Sequence, residues 1–316
     1  MLIRSNSKLI YDGDKKLMQF TCQNGWMGSL VGLAIGDQLG CPLEGKPPGT
    51  FEQITDMLPD SFWTDDTAQA LCLADSLISI RGLDHTDQLQ RYVRWLFEGY
   101  MSSQDVAYGC GQTARQAITA FRGNGTPAPV EAATSNGALM RLAPIPLFYA
   151  QNLATAIQMA GESATATHSN PICVEACRLY ASMIVKAVNG ASKSGILDYQ
   201  ADLWQGQPLT SSVDQVAQGS YRQKEPPQIR GTIHIVEVME AALWAFDQSS
   251  SFAEGALLAV NLGDDADTTG AIFGQLGGAY YGYNGIPNHW KEQLVDRALI
   301  EYLAQKLFEF RQQPES

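Results

Sequence analysis

Two stripes of glycine, with one residue at every fourth position, constrain this sequence more than any other feature. The stripes lie near opposite ends of the chain and consist of Gly28, Gly32, Gly36, Gly40 and of Gly270, Gly274, Gly278, Gly282. A four-residue period places all members of a stripe on one face of a helix. Glycine costs about 1 kcal/mol relative to alanine in a helix interior, and its usual return is close approach between backbones. We therefore expect two tightly packed central helices that bring their ends together.

Apolar residues at three- and four-residue spacing predict helices along most of the chain. The predicted helices are 26–40, 66–81, 86–100, 111–122, 150–163, 171–189, 234–247, 252–262, 266–281 and 289–310. Strand-like alternation is best at residues 232–238, where it stays ambiguous. The Gly- and Pro-rich loops have neither the length nor the composition of a domain linker. We predict an all-α fold with one compact multi-helix domain over residues 25–312, after an N-terminal extension of residues 1–24.

Charge and hydropathy exclude several classes of protein. The net charge of −12, from 21 basic and 33 acidic residues, argues against a nucleic-acid partner, because phosphate backbones bind Lys/Arg patches. The sequence contains no run of 18 apolar residues, so we predict no membrane-spanning helix. Charged residues interrupt the first 20 positions, where a signal peptide would need an apolar core. The six cysteines form no Cys/His zinc pattern. We expect reduced thiols and a cytoplasmic location.

The most informative motifs are two acidic clusters, each at a predicted helix start. They read Thr64-Asp65-Asp66-Thr67 and Asp264-Asp265-Ala266-Asp267-Thr268-Thr269. Capping explains either cluster alone, because Asp and Thr suit the first turn of a helix. Three carboxylates within residues 264–267 exceed what capping needs, since their mutual repulsion must be relieved. If the two helix starts converge, bound cations that prefer oxygen ligands, such as Mg²⁺ or Mn²⁺, would make the convergence tolerable.

Three weaker signals leave alternatives open. Asp37, late in the first glycine-rich helix, is read as a residue that satisfies backbone groups. Glu44 follows Pro42 in a loop and is either a solvated surface residue or a metal ligand on a mobile lid. The turn at residues 135–141 suits a phosphate or ribose, although as a lone motif it is weak and such a turn is more often an ordinary one. His168, one of four histidines, is read alone as a local hydrogen-bonding residue.

Taken in chain order, these motifs resemble the ADP-ribosylglycohydrolase family, which includes dinitrogenase reductase-activating glycohydrolases and ADP-ribosylarginine hydrolases. The resemblance spans about residues 25–290. It implies an all-α fold with two Mg²⁺ or Mn²⁺ ions. By motif match, the implied metal ligands are Thr64, Asp65, Asp66, Asp265, Asp267 and Thr268. The matching positions that line the ADP-ribose pocket are Asn136, Gly137, Met140 and His168.

The resemblance also implies roles and departures. Glu44 matches a glutamate that approaches the metals or swings away as a gate, and with Asp65 and Asp66 it forms the predicted catalytic set. Gly109 lies where many relatives carry an aspartate near the ribose, and Ser135 lies where the family usually has glycine. We count both with the substrate-binding residues. The metal-binding residues are thus retained, whereas the residues on the substrate side have changed.

The implied activity is hydrolysis of the glycosidic bond between ADP-ribose and a modified substrate, by a hydrolase with two metal ions. The expected partner is an ADP-ribosylated protein or an ADP-ribose-containing small molecule. Two alternatives stay open: an ADP-ribose sensor that keeps the metals with little or no turnover, and a hydrolase of another nucleoside-like glycosidic substrate. We expect a monomer or a weak homodimer.

Overall fold

The computed structural model describes residues 12–200 and 209–311, with side chains described from residue 23 onward. Fourteen α-helices lie within these ranges: α1 Asp12–Gly40, α2 Asp65–Ile80, α3 His85–Glu98, α4 Gln112–Asn124, α5 Pro144–Phe148, α6 Leu153–Ala164, α7 Pro171–Val188, α8 Lys193–Ile196, α9 Ser211–Ala217, α10 Ile235–Gln248, α11 Phe252–Val260, α12 Ala266–Tyr281, α13 Asn288–Gln293 and α14 Arg297–Phe310. The predicted all-α fold is confirmed. Short 3₁₀ turns occur at Cys41–Leu43, Asn136–Ala138, Ser220–Gln223 and Tyr283–Gly285.

The two glycine stripes pack α1 directly against α12. Gly28 lies opposite Gly278 and Gly36 lies opposite Gly270, so the two helices run antiparallel. A methyl group on Gly36 would overlap the carbonyl oxygen of Gly270, so a side chain has no room at this crossing. The predicted close approach is confirmed. As a consequence, the carboxyl end of α1 lies beside the amino end of α12, where the second acidic cluster begins.

The strand considered at residues 232–238 is wrong. Ile233 is 71 % exposed, and α10 starts two residues later, with Ile235 and Val238 fully buried. The His234 side chain accepts a hydrogen bond from the backbone N–H of Val236 and so caps this helix. The pairing that remains is an isolated bridge between His234 and Ser135. The β-branched residues therefore pack as one face of a helix, and a local cap fixes its start.

The single helix predicted over residues 289–310 is also wrong, because it is broken between α13 and α14. Asp296, between them, has a positive φ of 51°. The backbone of Val295 is held by two side chains from distant elements: its N–H donates to Gln38 Oε1 at 3.0 Å, and its carbonyl accepts from Trp63 Nε1 at 2.9 Å. These tertiary hydrogen bonds take the backbone groups that a continuous helix would have paired internally.

Three further expectations concern the chain as a whole. Helix α1 runs without interruption through residues 24 and 25. The predicted boundary between the extension of residues 1–24 and the domain of residues 25–312 therefore stays a prediction. Residues 1–11 and 312 lie outside the described part of the chain. Five described cysteines are free thiols, and Cys22 lies outside the described side chains. Among the described helices, none combines the length and the apolar character that a bilayer crossing requires.

Candidate metal centre and substrate pocket

Asp37 anchors the start of α2 to the end of α1. Its carboxylate accepts the backbone N–H groups of Thr64 and Thr67 at 2.9–3.0 Å and the Thr67 hydroxyl at 2.6 Å. The side chain of the N-cap residue, Thr64, does not cap α2, so Asp37 supplies the acceptor from another element, as a cap would. The prediction that Asp37 satisfies backbone groups holds. These bonds hold the first acidic cluster in place.

The two acidic clusters, separated by about two hundred residues in sequence, meet at this point. Carboxylate oxygens of Asp37, Asp66 and Asp267 all lie within 4.8 Å of one another. The Thr64 hydroxyl lies among them, 3.2 Å from Asp66 Oδ2 and 3.3 Å from Asp267 Oδ2. All four side chains are buried. The antiparallel packing of α1 on α12 is what brings these residues together.

Burial and mutual repulsion make this cluster resist ionisation. Burial raises the pKa of Asp37 to about 6, although hydrogen bonds from Thr67 and Thr64 act in the opposite direction. Burial, and then the neighbouring carboxylates, raise the pKa values of Asp66 and Asp267 well above the usual range. Within the described residues, no Lys or Arg forms a salt bridge with these carboxylates. The negative charge is therefore not compensated by the protein itself.

The donor set fits a divalent cation. Asp66 Oδ1 is buried and has no hydrogen-bond partner, which is uncommon for a buried carboxylate oxygen. Carboxylate and hydroxyl oxygens are the ligands that Mg²⁺ and Mn²⁺ prefer. A cation beside Asp66 and Asp267 would both complete that oxygen and offset the repulsion. The residues present therefore fit a divalent cation.

The remaining predicted ligands flank this cluster. Asp65 is buried and accepts from Gln69 Nε2 at 3.0 Å, and burial followed by the charge of Asp37 raises its pKa well above the usual value. Asp265 is partly buried and accepts from Asn136 Nδ2 at 2.6 Å. Thr268 is buried, and its backbone N–H donates to Asp267 at 2.9 Å. The structure therefore places all six predicted ligands at one pair of helix starts.

Glu44 stands at the edge of the cluster. It is exposed and follows the 3₁₀ turn Cys41–Leu43. Partial desolvation, and then the charge of Asp265, raise the pKa of Glu44 above its usual value. The loop that follows is tied to the second acidic segment, because Gly45 N–H donates to the Asp264 carbonyl at 2.7 Å and Asp264 N–H donates to the Lys46 carbonyl at 2.8 Å. Glu44 is thus held beside the cluster by its neighbours.

The predicted substrate residues divide into two groups. Ser135 Oγ lies 3.0 Å from His168 Nε2, and a Cβ on Gly137 would lie 3.0 Å from the same imidazole. With Asn136 on Asp265, Ser135 and Gly137 form one wall next to the acidic cluster (the substrate wall), and the fully buried His168 supports this wall from behind. Met140 differs: it is 4 % exposed, and the contact it makes through its carbonyl is with Gln275 in the core. Met140 therefore lies behind the wall, where its backbone N–H donates to the Asn136 carbonyl at 3.1 Å.

Gly109 lies against the acidic cluster. Its φ of +82° belongs to the left-handed region, and a Cβ there would lie 2.6 Å from Asp65 Oδ1. The Gly111 N–H also donates to Asp65. This backbone therefore approaches the carboxylate so closely that a side chain at position 109 requires the loop to shift.

Sequence reasoning missed several residues that organise the site. Gln69 lies one helical turn after Asp65 and donates a hydrogen bond to it. The buried Arg141 donates to Gln69 in turn and so connects the acidic cluster with the substrate wall. Thr113 contacts Ser135. The i, i+4 spacing of Asp65 and Gln69 on one helix was a usable signal. No pattern along the chain indicated the partners of Arg141, which are 72 and 26 residues away.

Comparison with known proteins agrees with this geometry. The chain is 35 % identical to the ADP-ribosylarginine hydrolase Tri1 of Serratia proteamaculans, over 89 % of this chain and 78 % of that protein. It is 30 % identical to the ADP-ribosyl-[dinitrogen reductase] glycohydrolase of Rhodospirillum rubrum, over 85 % and 89 % of the two chains. A solved structure described as an ADP-ribosylglycohydrolase-related protein complex superposes with a TM-score of 0.82 at 39 % identity, covering 93 % of this chain and all of that one.

The family model for ADP-ribosylglycohydrolase matches residues 21–316, nearly the whole chain. The relatives named above are hydrolases. With the all-α fold and the two convergent acidic clusters, this match shows that the chain is a hydrolase that belongs to the ADP-ribosylglycohydrolase family.

Proposed function

We propose that this protein hydrolyses the glycosidic bond between ADP-ribose and a modified substrate, and that it needs two Mg²⁺ or Mn²⁺ ions. The observation that carries the proposal is the buried cluster of Asp37, Asp66 and Asp267, with one carboxylate oxygen left without a partner. Relatives named as hydrolases of ADP-ribosylarginine and of ADP-ribosylated dinitrogen reductase support the choice of substrate class. The modified partner is a protein or a small molecule.

The proposed ligands of the ions are Thr64, Asp65, Asp66, Asp265, Asp267 and Thr268. When bound, divalent cations supply Lewis acidity to such a site. Asp37 has the separate role of holding Thr64 and Thr67, because its oxygens already accept hydrogen bonds from these two residues. These ligands would hold the ions at the starts of α2 and α12, next to the wall formed by Ser135, Asn136 and Gly137.

The remaining site residues position the substrate and move protons. Glu44, with its raised pKa and exposed location, holds or releases a proton at its carboxyl oxygen and gates access. Asp65 is oriented by Gln69 and Gly111, so one of its oxygens is fixed. Ser135, Asn136, Gly137 and the backbone at Gly109 bind ADP-ribose, and the buried His168 positions Ser135 from behind. Met140 supports this wall from the core.

A turnover assay tests the proposal. The protein is incubated with ADP-ribosyl-arginine, an ADP-ribosyl-serine peptide and O-acetyl-ADP-ribose, and released ADP-ribose is quantified with Mg²⁺, with Mn²⁺ and with EDTA. We expect turnover of at least one substrate, loss in EDTA and recovery on adding metal. Asp267→Asn removes one ligand charge and should abolish turnover, whereas Asp60→Asn, at an exposed position, should not. Full activity of Asp267→Asn would contradict the proposal.

Gly109 favours one specific alternative, an ADP-ribose sensor that retains the metals. The family aspartate is absent here, and the close approach of Gly109 to Asp65 leaves no room to supply it. Calorimetry with free ADP-ribose, run beside the turnover assay, distinguishes the two functions. Tight binding without product from all three substrates would establish the sensor and exclude the hydrolase for those linkages.

A further inference from the structure

A continuous chain of hydrogen bonds runs through the protein interior from Arg141 to the substrate wall. Arg141 Nη2 donates to Thr167 Oγ1 at 2.7 Å, and this hydroxyl lies 2.7 Å from His168 Nδ1. His168 Nε2 lies 3.0 Å from Ser135 Oγ, which donates to Thr113 Oγ1 at 3.0 Å. Arg141, Thr167 and His168 are each at most 1 % exposed, so this part of the chain is shielded from bulk solvent.

A second chain leaves the same guanidinium toward the acidic cluster. Arg141 Nη1 donates to Gln69 Oε1 at 2.6 Å, and Gln69 Nε2 donates to Asp65 Oδ2 at 3.0 Å. Gln69 is completely buried. Because its carbonyl oxygen must face the guanidinium, its amide NH₂ must face Asp65. One side chain, Arg141, thus stands between the candidate metal centre and the substrate wall.

The chemistry of arginine sets the direction of both chains. A guanidinium donates hydrogen bonds and accepts none. The Thr167 oxygen accepts from Arg141, and His168 Nδ1 is the one other partner of this hydroxyl in the described structure, so the hydroxyl proton is directed at Nδ1. Burial, and then the charge of Arg141, lower the pKa of His168 to about 3, so its ring is neutral. Its single proton therefore lies on Nε2 and donates to Ser135.

The last member of the chain has a proton to give. Ser135 accepts from His168 and uses its own proton toward Thr113. Thr113 accepts that bond, and no described residue accepts from its hydroxyl. It is partly exposed in the first turn of α4, two residues after Gly111, whose N–H contacts Asp65. The free donor thus lies beside Ser135 of the substrate wall, two residues from the backbone that contacts Asp65.

We propose that Arg141 is a positioning residue that fixes the direction of these hydrogen bonds, and that the Thr113 hydroxyl, their terminal donor, binds an acceptor oxygen of the substrate. The inference rests on the proposed function for the identity of that oxygen, which belongs to a phosphate or ribose of ADP-ribose. Arg141 acts through Thr167 and His168 and touches no substrate. The direction of the chain makes this wall selective for groups that accept hydrogen bonds.

The tautomer of His168 tests the direction without any need for turnover. Long-range ¹H–¹⁵N NMR of the Mg²⁺-loaded protein distinguishes a proton on Nε2 from one on Nδ1, and His168→Gln identifies the signals among the four histidines. Deleting Arg141 would disrupt both chains at once, whereas Thr167→Val removes only the hydroxyl between Arg141 and His168, with Thr167→Ser as the matched control. We expect the Nε2–H form in the wild type and in Thr167→Ser, and a mixture in Thr167→Val. A proton on Nδ1 in the wild type would overturn the proposal.

The Thr113 hydroxyl is tested with Thr113→Val, which keeps the shape, and Thr113→Ser, which keeps the donor. Loss of one such hydrogen bond is expected to weaken ADP-ribose binding about five- to tenfold, by calorimetry with Mg²⁺ present. Thr113→Ser should restore the affinity, and kcat should change less than KM. Wild-type affinity in Thr113→Val would refute the role of Thr113. Turnover that survives in Asp267→Asn would instead refute the proposed function and leave the His168 result standing.

Discussion

Replacing Asp66 with asparagine should make the metal-free protein more stable, which is the opposite of what a structural hydrogen-bonding residue would show. Asp66 lies within 4.8 Å of the carboxylates of Asp37 and Asp267, and one of its oxygens has no partner. At that separation and an effective dielectric constant near 20, each like-charge pair costs about 3 kcal/mol. Because burial and the neighbouring carboxylates raise the pKa values of Asp66 and Asp267, the carboxylates of the cluster do not all ionise together, and we take one such pair as the net gain.

Thermal unfolding of the full chain measures this effect. For 316 residues the entropy of unfolding is roughly 0.7 kcal/mol per kelvin, so a gain of about 3 kcal/mol raises Tm by about 5 °C in EDTA. With Mn²⁺ at a hundred times its Kd, the wild type gains about 2.7 kcal/mol, and the variant, with a ligand missing, gains less. The difference between variant and wild type should therefore shrink or reverse when metal is added.

Asp60→Asn is the matched control, because it makes the same change of charge at an exposed position. Its Tm should stay within the small range typical of surface substitutions in both conditions. The reasoning is refuted if Asp66→Asn is less stable than the wild type in EDTA. It is equally refuted if Mn²⁺ stabilises the two proteins to the same extent.

Three further predictions follow from the same geometry. The pKa of Asp37 is about 6 in the folded protein and 3.8 in the unfolded chain. The free energy of unfolding of the metal-free protein, measured by urea denaturation, should therefore fall by about 3 kcal/mol as the pH rises from about 4 to about 6 and above. The fall should be smaller in Asp37→Asn. Gly36→Ala should lower the free energy of unfolding by about 3 kcal/mol or more in the same assay, because the added methyl group meets the α12 backbone. Gly123→Ala, whose methyl group would have no atom within 4 Å, should be neutral or stabilising. Gly109→Ala should weaken Mn²⁺ binding at least tenfold by calorimetry, because its Cβ would lie 2.6 Å from Asp65 Oδ1; unchanged affinity would contradict the close approach.

The sequence determined the features that depend on spacing along the chain. Helical periodicity predicted the main helices, and the glycine stripes predicted the contact of α1 with α12, because an unbroken four-residue repeat of glycine leaves a helix face on which only another backbone fits. The acidic clusters exceeded the needs of capping and so predicted a shared site. These inferences succeeded because each depends on residues within a few helical turns of one another, or on the pairing of the two stripes, which also brings the acidic clusters together.

Only the tertiary structure decided which distant groups take up each hydrogen bond. Gln38 and Trp63 break the last predicted helix by capturing the backbone of Val295. Asp37 is occupied in holding the start of α2, while Asp66 keeps an oxygen without a partner, although both are buried aspartates. Arg141 connects the cluster to the substrate wall. Each of these outcomes depends on contacts between residues far apart in sequence, and buried polar groups take whichever partner the packing of the helices brings within reach.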